Sequence, residues 1–326
     1  MDKYFIKSIK IQNFKCFDDF NADGFKRINL IGGKNNIGKT ALMEACYLGQ
    51  STEDEKRFFH ALIVLELSRN PLEEFKIIED SNNFDFKFED SDILINGEYR
   101  TINENPFDEN LFDEMNGLYY KIKKNYNTGI SEIMQFYTGK NKPLNIQNKE
   151  FISMNNIRED FISECIDEIK LEDNEDELNT ILSELFDIKK IDVIKHQVMI
   201  KKEKEFRLLK EFGDGVKHFL NVVLALFLNK DNTIYLDEID NGIHYSLFDK
   251  LWKIVFKISN DQDVQVFATT HSKECIESYN RVSKKLPNND ISYIKMTKQK
   301  DGKIKAFVRD SNLLDNSLEQ EHEVRG

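Results

Sequence analysis

The chain has 326 residues, 40% of them apolar and 32% charged, and carries a formal net charge of −12. This suits one large or two modest soluble globular domains with a sizeable core. The acidic balance excludes a bulk basic field for holding nucleic acid, though not a local basic groove.

The opening residues, Met1 to Lys10, lack the apolar run of a signal peptide. Residues 4–14 alternate around Ile9 and Ile11, which predicts a strand. A turn near Asn21 to Gly24 leads into a second short strand, Arg27 to Ile31. That strand runs into Gly33-Lys34-Asn35-Asn36-Ile37-Gly38-Lys39-Thr40, and a helix opens at Thr40 and continues through Tyr47. Residues 57–69 read as helical. The β-prone pieces at 75–78, 84–88 and 92–95 read as an antiparallel layer beside the first sheet.

From about 105 to 190 the character changes. Ile157, Phe161, Ile166 and Ile169, then Leu178, Ile181, Leu182, Leu185 and Phe186, follow helical spacing. This stretch is predicted to be a helical insertion or lid, and no sustained heptad supports a long coiled coil. From Ile191, two short strands precede a glycine turn at Gly213-Asp214-Gly215, and a helix follows through Leu228. The longest apolar run, Val222 to Leu228, is too short to span a bilayer. A cytoplasmic location without membrane contact is therefore expected. Further strands are expected at 233–236, 264–270, 291–296 and 304–308, with helices at 246–258 and 273–279. Apolar strands alternating with helices indicate an α/β fold with a mostly parallel sheet. The expected division is 1–104 and 191–326 as two parts of one head, with 105–190 inserted between them. Cys16, Cys46, Cys165 and Cys275 have neither metal-site spacing nor a disulfide framework.

Gly33, Gly38, Lys39 and Thr40 match G-x-x-x-x-G-K-[ST], in the strand–loop–helix context that this pattern needs. Such glycines let backbone N–H groups curl around phosphate oxygens, helped by the helix N-terminus. Asn35, Asn36 and Ala41 would complete the nucleotide-binding loop. Lys39 would reach the β- and γ-phosphates, and the Thr40 hydroxyl would ligate Mg2+. Ile234-Tyr235-Leu236-Asp237-Glu238 is an apolar strand ending in two acids, at the edge where α/β sheets hold ligands. Asp237 would support the metal, and Glu238 would orient or deprotonate the attacking water. His271, after the strand Phe267-Ala268-Thr269-Thr270, could reach a γ-phosphate. Asn229-Lys230-Asp231-Asn232 breaks the spacing of a guanine-reading Asn-Lys-x-Asp motif, so ATP is preferred over GTP.

In this order the elements resemble an ABC-type P-loop NTPase of the SMC, RecF and OLD-like grouping. More closely, they resemble stand-alone AAA-annotated ATP-binding proteins of bacterial defence loci. Ile11-Gln12-Asn13-Phe14-Lys15-Cys16-Phe17 is similar to the grouping's opening, and Asp237-Glu238-Ile239-Asp240-Asn241-Gly242-Ile243-His244 to its "DEPENGLH" stretch. The resemblance implies an ATPase with ATP and Mg2+ as cofactors, working as a head-to-tail homodimer or higher homo-oligomer. Gly213, Asp214 and Gly215 would complete the partner's site as the signature turn, and His244 would lie in the loop between the two sites. Three departures stand out. Gly213 replaces the signature serine, which favours slow hydrolysis; Ile239 replaces a proline; and the metal-loop glutamine is unassigned among Gln135, Gln147 and Gln197. The 55 residues after His271 are too few for a TOPRIM nuclease. A nuclease or toxin effector in trans is therefore expected, in phage defence. The alternative is a DNA-repair or chromosome-maintenance clamp, with nucleic-acid binding left open. A membrane-transporter subunit fits the weak signature less well.

Overall fold

The structure, a computed structural model, describes residues 5–51, 57, 60–61, 64–65, 83–87, 93–102, 117–126, 131–139, 150–153, 159–285 and 290–319. At its centre a six-stranded sheet holds β3 (Ile28–Gly33), β8 (Phe151–Ser153), β12 (Thr233–Asp237), β13 (Gln265–Thr269), β14 (Ile291–Lys298) and β15 (Ile304–Arg309). Its order is β15-β14-β3-β13-β12-β8, and every pair is parallel except β14–β15. All six residues of β3 and all five of β13 are buried. That suits near-continuous apolar runs covered on both faces. The polar exceptions are satisfied. Asn29 donates to the carbonyls of Lys26 and Val266, and Gln265 bonds both the N–H and the carbonyl of Ile6.

Helix α1 (Lys39–Gln50) covers one face. It packs with Tyr235, Phe267 and Ile294 of the sheet, and with Ile9, Ile11 and Phe20 of β1 (Ser8–Phe14) and β2 (Phe17–Asp23). A second, antiparallel sheet of order β2-β1-β4-β5-β6-β7 lies beyond it, with β4 (Asn83–Lys87), β5 (Ile93–Ile102), β6 (Gly117–Tyr126) and β7 (Ser131–Gly139). The other face of the central sheet carries the larger core. There Leu236, Val266 and Ala268 meet residues of α4 (Asp214–Leu228), α5 (Phe248–Asp261) and α6 (Lys273–Ser283). Helices α2 (Glu159–Leu171) and α3 (Glu175–Phe186) add Ile166, Ile169, Leu178 and Leu182 to the same core. A small sheet of β9 (Lys190–Ile194), β10 (Gln197–Lys201) and β11 (Phe206–Leu208) leads into α4, and α7 (Ser311–Glu319) follows β15.

Several expectations change. Residues 17–23 form strand β2, with Phe17, Phe20 and Ala22 buried, where a turn was expected to begin at Asn21. Of the expected helical insertion at 105–190, residues 117–126 and 131–139 are instead strands that extend the antiparallel sheet. Residues 151–153 join the central sheet, and among the described residues of this stretch the helices are 159–171 and 175–186. Three strands rather than two precede the glycine turn. The expected strand at 75–78 and much of the expected helix at 57–69 lie outside the described residues. Among the described residues, no helix is long and apolar enough to cross a membrane.

Candidate functional site

Parallel strands that end at one edge bring their following loops together. Gly33 ends β3, Asp237 ends β12, and His271 comes two residues after the end of β13. The loop from Gly33 to Lys39 depends on backbone freedom at two glycines. Gly33 has φ 152°, and a Cβ there would lie 2.8 Å from the carbonyl oxygen of Met296. Gly38, at φ 96°, caps α1; a Cβ there would lie 2.6 Å from Cys16 Sγ and 3.1 Å from Phe17 Cζ. Asn35 and Asn36 are exposed on the loop, Asn36 with φ 58°, and Ala41 is buried in the first turn of α1.

Lys39 is buried. Its Nζ donates to the carbonyls of Gly33 and Lys34, both at 2.9 Å, and lies 3.2 Å from His271 Nδ1. Burial pulls its pKa down to about 8, against the opposing pull of Asp237, Glu238 and Asp240. An ammonium bonded to two carbonyls at the mouth of a helix N-terminus is held ready for an anion. Burial also lowers the pKa of His271, with the Lys39 charge adding to it. His271 Nε2 stands 3.7 Å from Glu238 Oε1.

The Thr40 hydroxyl lies 3.1 Å from both carboxylate oxygens of Asp237. Burial raises the pKa of Asp237, although hydrogen bonds from Thr269 and Thr40 oppose the shift. Thr269 Oγ1 donates to Asp237 Oδ1 at 2.6 Å and accepts from the Glu238 N–H at 2.8 Å. A single hydroxyl therefore ties the Asp237 carboxylate to the backbone of Glu238. The backbone at Glu238 adopts φ 55°, which turns the chain off the strand end. Asp240, one turn on, also has a burial-raised pKa, and its Oδ1 is buried without a hydrogen-bond partner.

The structure thus gathers Lys39, Thr40, Asp237, Glu238 and His271 at one edge. Gly213 and Asp214 lie on an exposed turn, with Gly213 at φ 76° as the N-cap of α4. Gly215 touches the loop after Glu238; a Cβ there would lie 3.2 Å from the Gly242 carbonyl. His244 caps a short 3₁₀ turn through its Nδ1, 2.8 Å from Ser246 Oγ, beside the exposed Tyr245. Gln135 falls in β7 and Gln197 opens β10, whereas Gln147 lies outside the described residues.

Three contributors escaped the sequence reading. Thr269 was visible only as one of two threonines ahead of His271. Glu44, fully buried on α1, pairs with Lys15 of the β1–β2 turn and ties that turn to the helix behind the loop. Cys16 seats its sulfur against Gly38. Their positions relative to the loop exist only once the chain is folded.

Among the described residues no three His, Cys, Asp or Glu side chains cluster as a metal cage. The Thr40–Asp237 pair is nonetheless an all-oxygen donor set. It suits Mg2+, which takes one or two carboxylates with waters and phosphate oxygens.

Comparison with known proteins places this geometry. The chain is 27% identical over 338 residues to a Helicobacter pylori protein named ATP/GTP phosphatase, covering 85% of this chain and 88% of that protein. A shorter segment of 79 residues is 35% identical to the DNA replication and repair protein RecF of Clostridium acetobutylicum, covering 21% of this chain and 22% of RecF. In fold the chain is similar to an SMC head crystallised with the C-winged helix domain of ScpA. The TM-score is 0.51 at 13% identity, with 97% of this chain and 99% of that one covered. The fold is accordingly that of an SMC-head-type P-loop ATPase. Matched over residues 28–277, the chain belongs to the family described as "AAA domain, putative AbiEii toxin, Type IV TA system".

Proposed function

We propose that this protein is a Mg2+-dependent ATPase that acts as a switch. Two copies meet head-to-tail around ATP, and the closed pair controls an effector, a nuclease or toxin, in anti-phage defence. The observation that carries the ATPase reading is the convergence of Lys39, Thr40, Asp237, Glu238 and His271 at one sheet edge. The name of the Helicobacter relative supports hydrolysis. The defence role leans on the sequence resemblance and on the family's description.

Each residue has a task that its surroundings support. Lys39, already bonded to two loop carbonyls, turns its charge toward the β- and γ-phosphates. Thr40 and Asp237 are the residues that would hold Mg2+, which when bound would neutralise charge on the phosphates. Glu238 orients the attacking water and accepts its proton. Neutral His271, within 3.7 Å of Glu238, places a ring nitrogen near the same water and the γ-phosphate. The exposed Gly213–Gly215 turn reaches the second copy's nucleotide. Gly213 brings no side-chain hydroxyl, so turnover is slow.

The test is Glu238→Gln. It should retain nucleotide binding, lose about 10²- to 10⁴-fold in turnover, and accumulate an ATP-dependent dimer in size-exclusion chromatography. Hydrolysis at the wild-type rate would sink the catalytic assignment. A second reading, an ATP-gated DNA clamp in repair or chromosome maintenance, draws on the SMC-head fold and the RecF segment. ATP-dependent, salt-sensitive binding of duplex DNA by the Glu238→Gln dimer would favour it.

A further inference from the structure

Away from the P-loop, where β1 and β2 meet the start of β15, a pocket of about 540 Å³ is lined by Lys10, Lys303 and Lys305, together with Ser8, Asp19 and Asn21. Strand β14 lies between β15 and β3, so the pocket is separated from the nucleotide loop by a strand of the central sheet. We propose that this pocket is a second phosphate site, taking a nucleotide-sized phosphoester, either a free nucleotide or a unit of a single-stranded nucleic acid.

Four observations carry the proposal. The volume falls in the range of small-ligand sites, roughly 300–1,000 Å³. Three lysines line it against one aspartate, a local excess of positive charge on a chain whose net charge is −12. All three lysines are exposed, and among the described residues no ion pair ties up their ammonium groups. Ser8, only 3% exposed, lines the same pocket, and its hydroxyl is buried without a hydrogen-bond partner. A buried hydroxyl left unpaired is costly, and a ligand oxygen brought within its reach would relieve that cost.

The pocket is also built to orient what it holds. Lys10 and Asn21 are cross-strand partners, which places them on one face of the β1–β2 pair. Asp19 is steadied by Gln12, whose Nε2 donates to its Oδ1 at 3.3 Å. That carboxylate is an acceptor suited to a sugar hydroxyl or a base amino group. Ile304 and Ala306 supply an apolar wall for the remainder of the ligand. Lysines bind phosphate as point charges, so affinity here depends on salt.

The experiment uses the full chain carrying Lys39→Ala, so that the P-loop does not compete. The probes are AMP, followed by calorimetry, and a fluorescein-labelled single-stranded oligonucleotide, followed by anisotropy. Saturable binding of either probe is expected, at least tenfold weaker in Lys303→Glu/Lys305→Glu and weaker again with Lys10→Glu. For the oligonucleotide, the log–log salt slope should fall by about 0.7 for each lysine lost. AMP binding alone identifies a free nucleotide, and oligonucleotide binding alone identifies a strand. An unchanged thermal midpoint in the charge-reversed variants confirms that they are folded. Failure of both probes to saturate, or affinity indifferent to the three lysines, overturns the site. Neither result bears on whether the P-loop hydrolyses ATP.

Discussion

Lys39 Nζ and His271 Nδ1 stand 3.2 Å apart, joining the start of α1 to the end of β13. A lysine ammonium has no acceptor, so this contact requires a neutral histidine whose Nδ1 accepts. Burial and the neighbouring lysine both lower the His271 pKa. The imidazole therefore stays neutral down to a pH below its usual 6.5.

The Lys39 pKa of about 8 predicts that nucleotide binding takes up protons. At pH 8 to 8.5 the empty site is partly deprotonated, and phosphate oxygens restore the full charge. Calorimetry in buffers of different ionisation enthalpy should show net proton uptake that Lys39→Arg abolishes. The sign for stability follows from the same shift. Between pH 8 and 10.5 the unfolded chain keeps a proton that the folded chain has released, so stability of the nucleotide-free protein rises with pH across that window.

Asp237→Asn should separate the metal role from the structural one. Burial raises the Asp237 pKa, so the ionised form destabilises the fold at neutral pH, while asparagine can keep partners at Thr40 and Thr269. The nucleotide-free variant is expected to melt at or above the wild-type temperature. Its Mg2+-ATP stabilisation, about 2.7 kcal/mol for wild type at a hundredfold excess over Kd, should vanish. A large drop in the melting temperature without nucleotide would contradict this assignment.

Gly38→Ala combines backbone strain with a clash. The residue sits at φ 96°, and the new methyl would lie 2.6 Å from Cys16 Sγ. A cost of about 1–3 kcal/mol is expected, together with loss of nucleotide binding. Adding Cys16→Ala should recover part of the stability, because it removes the contact with sulfur and leaves the strain and the tight approach to Phe17. Urea unfolding of the four combinations measures the split.

Gly242→Ala tests a contact inside the subunit, between α4 and the loop after Glu238. A methyl there would lie 2.6 Å from His218 Cε1, at a backbone φ of 71°. His218→Ala should relieve the clash, giving a coupling energy of about 0.5–3 kcal/mol in a double-mutant cycle. Additive effects would show that α4 and this loop are not mechanically joined.

The parts of the site legible in the sequence were those written as unbroken strings. Gly33 to Thr40, Asp237-Glu238 and His271 each follow an apolar strand, and the structure brings those strand ends together. Strand β2 was missed because Asp18 and Asp19 break its alternation, and Asn21 and Gly24 imitate a turn. Strand β8 is three residues long, too short for periodicity to register. Strands β6 and β7 were submerged in a stretch read as helical from the patterns that follow it at Ile157 to Phe186. Thr269 and the Lys15–Glu44 pair belong to tertiary packing, which local pattern does not encode.

The strand order has a consequence for how the protein is made. Ile28 of β3 hydrogen-bonds in register between Val266 of β13 and Ile291 of β14, both translated long after it. The nucleotide loop therefore leaves the ribosome without either of its flanking strands. It cannot be held in shape until nearly the whole described chain has been synthesised. Such non-local pairing folds slowly. A truncated product that ends before β13 would carry the full glycine-lysine motif and still bind no nucleotide. Nucleotide binding at this loop would thus double as a certificate that translation has run past residue 291.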